Sequence, residues 1–253
     1  NSALKPYKLV YSGGLGLKTK PHFFLGKLHN RHDVDDYTVY ISSNEYARDL
    51  TAPPAMALGQ TIFIRRESLK RMLWEKLEEW RWNRPANAMA RAIKHYEFNT
   101  NVDAALDAMT ENELNSALLH EIGEVEAGKC LGEEWEKLLA VLPRSKAEIM
   151  LRALRDHLAD ALSTLPALLE QEQAASLHFY FANLNSMRKH MYPALLSAYQ
   201  QWHENGNLQP LSRQVRQGRE HWQAQAENVL ELYRQRGPEA REAIESLLEN
   251  SLL

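Results

Sequence analysis

A single cysteine, Cys130, in 253 residues rules out an internal disulfide and fits a reducing, cytoplasmic setting. The chain also lacks any apolar run near the roughly 20 residues that a membrane-spanning helix needs. Its opening has no basic-then-apolar signal pattern, and a start on Asn1 rather than Met is compatible with trimming or a missing leading segment, whose address would be invisible. Charge of one sign is missing as well. Thirty Lys and Arg face 33 Asp and Glu, a formal net of −3, so bulk electrostatics steers the chain toward neither nucleic acid nor anionic membrane. What remains is 44% hydrophobic and 25% charged, the balance of a globular protein long enough to bury a large core.

Two textures divide that core. Up to about Arg65 the sequence is rich in glycine, proline and β-formers. Lys8 to Tyr11, Phe23 to Leu25, Thr38 to Ile41 and Thr61 to Ile64 read as short strands, with turns expected at Gly13-Gly14 and Pro53-Pro54. From Glu67 on the periodicity is helical, with breaks at Pro85, Asn99 to Asn101, Gly132, Pro143, Asn205 to Asn207 and Gly237-Pro238. The expected fold is mainly α, a multi-helix bundle with a small irregular β-containing N-terminal segment over residues 1–65. A helical core follows over 66–205, and amphipathic helices over 206–253, which either return to the body or join two copies in a homodimer. Thr110 with Glu113 and Ser145 with Glu148 both match the capping box, predicting helix starts there.

The run Ala117-Leu118-Leu119-His120-Glu121-Ile122-Gly123-Glu124 sets a histidine and carboxylates inside an otherwise apolar helix, where charge is costly without a partner. At about 100° per residue, Leu114, Leu118, Ile122 and Val125 form one stripe, and Ser116, His120, Glu124 and Ala127 lie opposite. The helix after Ser145 repeats this, with Leu151, Leu154, Leu158, Leu162 and Leu165 on one side and Ala153, Asp156, Asp160 and Ala167 on the other. If the two acidic sides meet, His120, Glu124, Asp156 and Asp160 converge. A divalent cation, manganese, iron, magnesium or zinc, would then relieve their repulsion. The competing reading pairs these carboxylates with arginines such as Arg144, Arg152 or Arg155. Gly123 and Gly128, each about 1 kcal/mol worse than alanine in a helix, point to close approach at this helix.

The octet resembles the doublet region of HD-domain metal-dependent phosphohydrolases, and the longer run to Gly128 is similar to the branch acting on nucleoside 5′-monophosphates. The resemblance covers about residues 88 to 162. It implies an all-helical hydrolase of small phosphomonoesters or nucleotides, with a divalent metal held by His95, His120, Glu121 and Asp156 or Asp160. Glu124 would assist catalysis at the leaving group. Glu121 is one methylene longer than the family's aspartate, and Lys129 replaces another aspartate.

Two further readings stay open. His120 to Glu124 is a degenerate zincin motif, with Glu124 where a second histidine belongs. Alternatively the chain is a non-catalytic helical interaction or regulatory module, because Trp74 and Trp82 fall off the Leu69, Leu73, Leu77 and Trp80 face of their helix. Basic residues around them, Arg65, Arg66, Lys70, Arg71, Lys76, Arg81 and Arg84, are diluted by Glu75, Glu78 and Glu79, so nucleic acid is not the expected partner. His22, His29, His32 and Asp33 are read as loop residues, and His178 and His190 as satisfied core or boundary residues.

Overall fold

The computed structural model describes residues 1–15, 21–51 and 53–253. The chain is mainly helical and carries a five-stranded sheet near its N-terminus. It divides into two compact units, Asn1–Glu121 and Ile122–Leu253.

In the first unit the strands are β1 (Leu9–Leu15), β2 (Pro21–Val34), β3 (Tyr37–Arg48), β4 (Ala55–Leu58) and β5 (Thr61–Arg65), in the order β1-β2-β3-β5-β4. Only the β3–β5 pair is parallel; the others are antiparallel. The expected β-containing N-terminal segment is present and irregular within the β2–β3 ladder, but it is larger than the short strands predicted. β2 and β3 run far past the predicted pieces, because pairing holds polar residues such as Asn30 to Asp33 in strands without alternating hydrophobicity. Gly13 and Gly14 also sit in β1 opposite Phe23 and His22 rather than in a turn, while Gly16 lies outside the described residues.

One face of the sheet is closed by Val10, Phe24 and Phe63, with Leu28, Tyr40 and Met56 around them. Tyr40 stacks on Phe63 at 5.5 Å, and Phe24 meets Phe63 edge-on at 6.0 Å. By strand alternation Ile62 and Ile64 point to the opposite face. Helix α1 (Arg66–Asn83) packs beside β3 and buries Leu69, Leu73 and Leu77. A buried ion pair joins these parts: the Arg65 guanidinium lies 4.7 Å over the Phe24 ring and donates to both oxygens of Glu45, at 3.0 and 2.6 Å. Ser68 donates to the same carboxylate. Burial works to raise the Glu45 pKa, yet the Arg65 and Ser68 bonds hold it below the usual carboxylate range.

Helix α2 (Ala88–Ile93) follows, and α3 (Val102–Val141) opens on an Asn101 cap whose side chain accepts from the Ala104 amide at 3.1 Å. The break expected at Asn99 to Asn101 is present, but Thr110 is not a helix start. It is buried in mid-helix, and its hydroxyl donates to the Leu106 carbonyl at 2.7 Å. A kink in α3 falls at Gly132, where a break was predicted. The most buried side of α3 runs through Leu106, Met109, Glu113, Gly123, Ala127 and Leu131. The predicted stripe of Leu114, Leu118, Ile122 and Val125 is only half-buried.

The second unit continues with α4 (Lys146–Ala159), a π-helical turn (Asp160–Thr164), α5 (Leu165–Glu170), α6 (Ala174–Asn183), α7 (Ser186–Met191), α8 (Pro193–Asn205), α9 (Gln209–Arg236) and α10 (Arg241–Glu249). The Ser145 cap is as predicted, its hydroxyl accepting from the Glu148 amide at 3.3 Å. Leu151, Leu154, Leu158 and Leu165 are buried, with Leu162 only half-buried. Helix α9 packs on α4, α5, α8 and α10, so within this unit the C-terminal helices return to the body.

Gly123 marks the closest approach. A Cβ built there would stand 2.4 Å from the Ala159 carbonyl oxygen, whereas one at Gly128 meets nothing within 4 Å. Gly123→Ala is therefore expected to cost about 1–3 kcal/mol of unfolding free energy. Gly128→Ala should leave stability unchanged or raise it by up to about 1 kcal/mol. Urea denaturation of the two variants beside the parent chain checks the contrast.

Candidate functional site

The octet lies on α3, His120 and Glu121 half-buried within the first unit and Glu124 in the second. The Glu124 carboxylate is paired with the Arg155 guanidinium of α4 at 2.7 Å, its side chain 22% exposed. Asp156 stands 3.9 Å from the same guanidinium. Arg155 was among the arginines the sequence offered as counter-ions, whereas Arg152 turns to Glu148 along its own helix. His95 is exposed just after α2.

Asp160 opens the π-helical turn and is buried, its carboxylate accepting from Arg188 of α7. The same guanidinium donates to the Tyr180 hydroxyl of α6 at 2.8 Å. Burial works against the charge on Arg188, but Tyr180, Asp160 and Asp156 outweigh it and keep the guanidinium firmly protonated. Burial pushes the Tyr180 hydroxyl well above its ordinary range. His157 donates through Nε2 to the Arg188 backbone carbonyl at 3.0 Å, stacks on Trp222 at 5.1 Å and meets Tyr192 edge-on. Burial, with the Arg188 charge adding, lowers its pKa from 6.5 to about 3. The imidazole is neutral at any ordinary pH.

This arrangement bears directly on a metal. The oxygens that would bind a cation at Asp160 and Glu124 accept from guanidinium groups, and among the described residues no three His, Cys, Asp or Glu side chains are grouped to hold one. At Glu124 and Asp160, guanidinium groups therefore stand where a cation would have to. The cluster instead ties α4, α6, α7 and α9 by charge, hydrogen bonds and ring stacking.

Several polar residues escaped the sequence reading. Arg188 is buried 28 positions beyond its partner, and no local pattern announces it. Glu113 is buried, with Asn112 donating to its Oε1 at 3.3 Å and to the Tyr96 hydroxyl at 3.0 Å. Burial and the Glu113 charge push that hydroxyl up to about 12. As expected of a satisfied core residue, His178 is buried, bonded to the Tyr199 hydroxyl at 2.9 Å and stacked on Trp202. His190 is exposed and paired with Glu249. A cleft of about 380 Å³ opens beside the π-helical turn, lined by Ala161, Pro166, Leu169 and Val215 with Arg216 and Arg219.

Removing one partner of the buried pair should be far worse than removing both. Asp160→Ala is expected to cost about 3–5 kcal/mol, and Asp160→Leu with Arg188→Met to recover much of that loss, by denaturant unfolding. The pH dependence has a definite sign. Unfolded His157 takes its proton near 6.5 and the folded ring only near 3, so its contribution is complete above pH 6.5 and is lost as pH falls toward 3. Between pH 6.5 and 4.5 this residue should remove about 2 kcal/mol, and His157→Gln should make that limb shallower in unfolding titrations.

Comparison with known proteins adds a family but no chemistry. A model of the C-terminal domain of a family of unknown function (DUF6866) matches residues 70–251, and a model of that family's N-terminal domain matches residues 1–65. No curated protein and no solved structure matches the chain. The two models meet near the start of α1, whereas compactness divides the chain inside α3. Matched in order along nearly its whole length, the chain belongs to the DUF6866 family.

Proposed function

We propose that this chain is a non-catalytic interaction module that engages a protein partner through the aromatic surface of its first unit. The observation that carries the reading is the exposure of two tryptophans on α1, Trp82 at 87% and Trp74 at 39%. Indole rings left in water at such cost are characteristic of recognition surfaces, where they supply large contact area at little entropic expense. Residues 74 and 82 fall on one side of the helix, and the Arg81 guanidinium lies 5.7 Å from the Trp74 ring. Further exposed aromatics belong to the same unit, namely Tyr7, Tyr11, Phe23 and Tyr46.

The basic residues around α1 support a protein partner rather than a nucleic acid. Arg66 and Lys70 are answered by Asp107, Arg66 also by Glu111, Arg81 by Glu78 and Lys76 by Glu79. The hydrolase implied by the octet would need Asp160 and Glu124 available to cation and substrate. Their pairing with Arg188 and Arg155 favours the module over the enzyme.

A photo-reactive amino acid placed at position 82 should yield one discrete protein adduct in cell extract, abolished by Trp74→Ala. The same probe at Val141, exposed in the second unit, should give none. Adducts that are absent, or equal at both positions, would overturn the reading. So would phosphomonoester hydrolysis that requires a divalent ion and disappears in His120→Ala.

A further inference from the structure

The β2–β3 ladder opens at one place, and the opening is lined by cations. Gly26 pairs with Glu45 and Leu28 with Ser42, leaving Lys27 against both Ser43 and Asn44. Leu28 pairs with Ser42 and Asn30 with Ile41, which leaves His29 as an extra residue on β2. With a third shift between Leu25 and Gly26, which leaves Tyr46 extra on β3, these irregularities form a compound β-bulge, a device that re-aims side chains and interrupts pairing. The residues left out of the β2–β3 pairing, Lys27, His29, Ser43 and Asn44, line a cleft of about 600 Å³ together with Lys8, Leu28, Asn30 and Arg31.

The irregularity is built into the chain. A Cβ at position 26 would stand 2.8 Å from the Asn44 carbonyl oxygen and 3.2 Å from Ser42 Cβ, so only glycine lets β3 fold over β2 here. Lys8 holds a left-handed backbone, φ 54°, unusual for a side chain of its kind. Its carbonyl accepts from the Leu28 amide at 2.8 Å, which fixes Lys8 against the bulge. The left-handed conformation caps the short helical turn Lys5–Tyr7, the Lys8 amide donating to the Lys5 carbonyl at 3.0 Å, and sets Lys8 beside the other cations of the cleft.

The lining states the chemistry. Two lysines, an arginine and a histidine line it with two amides and a hydroxyl, and no carboxylate is among the described lining residues, on a chain whose net charge is −3. Arg31 is paired with Asp33 at 3.1 Å, both groups exposed, an arrangement that a stronger anion can displace. Leu28 is the one apolar lining residue, so the cleft offers no aromatic platform for a nucleobase. We infer that this cleft binds a multiply charged phosphoryl ligand of the free oligophosphate type through Lys8, Lys27, His29 and Arg31. This is independent of the partner surface proposed for α1.

Titration calorimetry and amide-shift mapping on the full chain test it, with orthophosphate, pyrophosphate and tripolyphosphate as probes and an oligothymidylate of equal charge as competitor. Tripolyphosphate should bind one to one and about tenfold or more tighter than orthophosphate, with shifts centred on residues 27–31, 43 and 44. Log affinity against log salt should fall with a slope of about −2 to −3, in line with the number of cations engaged. Lys27→Gln, which keeps the apolar stem, and Lys8→Gly, which keeps the left-handed backbone, should each weaken binding about three- to tenfold. Lys137→Ala, an exposed lysine of α3, should change nothing. Multiple weak sites, equal affinity for all three phosphates, indifference to Lys27→Gln and Lys8→Gly, or tighter binding of the oligothymidylate would each overturn the assignment.

Discussion

A guanidinium with almost no access to water must be answered by an anion, and in the second unit Arg188 is answered by Asp160. The pair reaches outward in three directions. The guanidinium holds the Tyr180 hydroxyl of α6, the Arg188 backbone carbonyl holds the His157 ring of α4, and that ring lies flat on Trp222 of α9. Four helices thereby share one polar node inside an apolar unit. Such a pair does little for net stability, since the desolvation of both ions offsets most of their attraction. Its effect is selective: any packing that separates α7 from the start of the π-helical turn strands a buried charge.

The first unit solves a similar problem in the same way. Arg65 is more deeply buried than Arg188, and it too has a carboxylate, an aromatic face and a hydroxyl around it: Glu45, Phe24 and Ser68. The site is the junction where β5 ends and α1 begins, so the direction in which the helix leaves the sheet is fixed by charge as well as by packing. In both units ionic groups specify arrangement, and the aliphatic residues around them supply the bulk of the burial.

Local signals were read well where one residue decides the outcome. The Ser145 cap, the break before α3, the kink at Gly132 and the close approach at Gly123 each depend on a single side chain or its absence. The misreadings share a cause, which is that a distant partner decides. Asn30 to Asp33 look like a polar loop until β3 pairs with them, and Gly13 sits in a strand with the Tyr11 ring folded over it. Thr110 and Glu113 satisfy the capping pattern, yet Asn101 had already started the helix. For the octet and Asp160 the sequence left a metal and arginine partners as alternatives. The arginine for Glu124 stands on the next helix, at Arg155, while the guanidinium that answers Asp160 comes from a short helix after α6 and could not be inferred from spacing.

The π-helical turn at Asp160–Thr164 closes through a bond from the Leu165 amide to the Asp160 carbonyl, five residues back rather than four. It acts as a dislocation in the rod: the angular phase of everything before it is offset from everything after it. Asp160 faces inward toward α7 while Leu165 and Leu168 still reach the apolar interior, two demands that an unbroken α-helix of this sequence would set against each other. A chain shortened by one residue there would slip back into phase and turn its carboxylate and its leucines onto conflicting sides, so an insertion and a deletion at that turn would not be interchangeable.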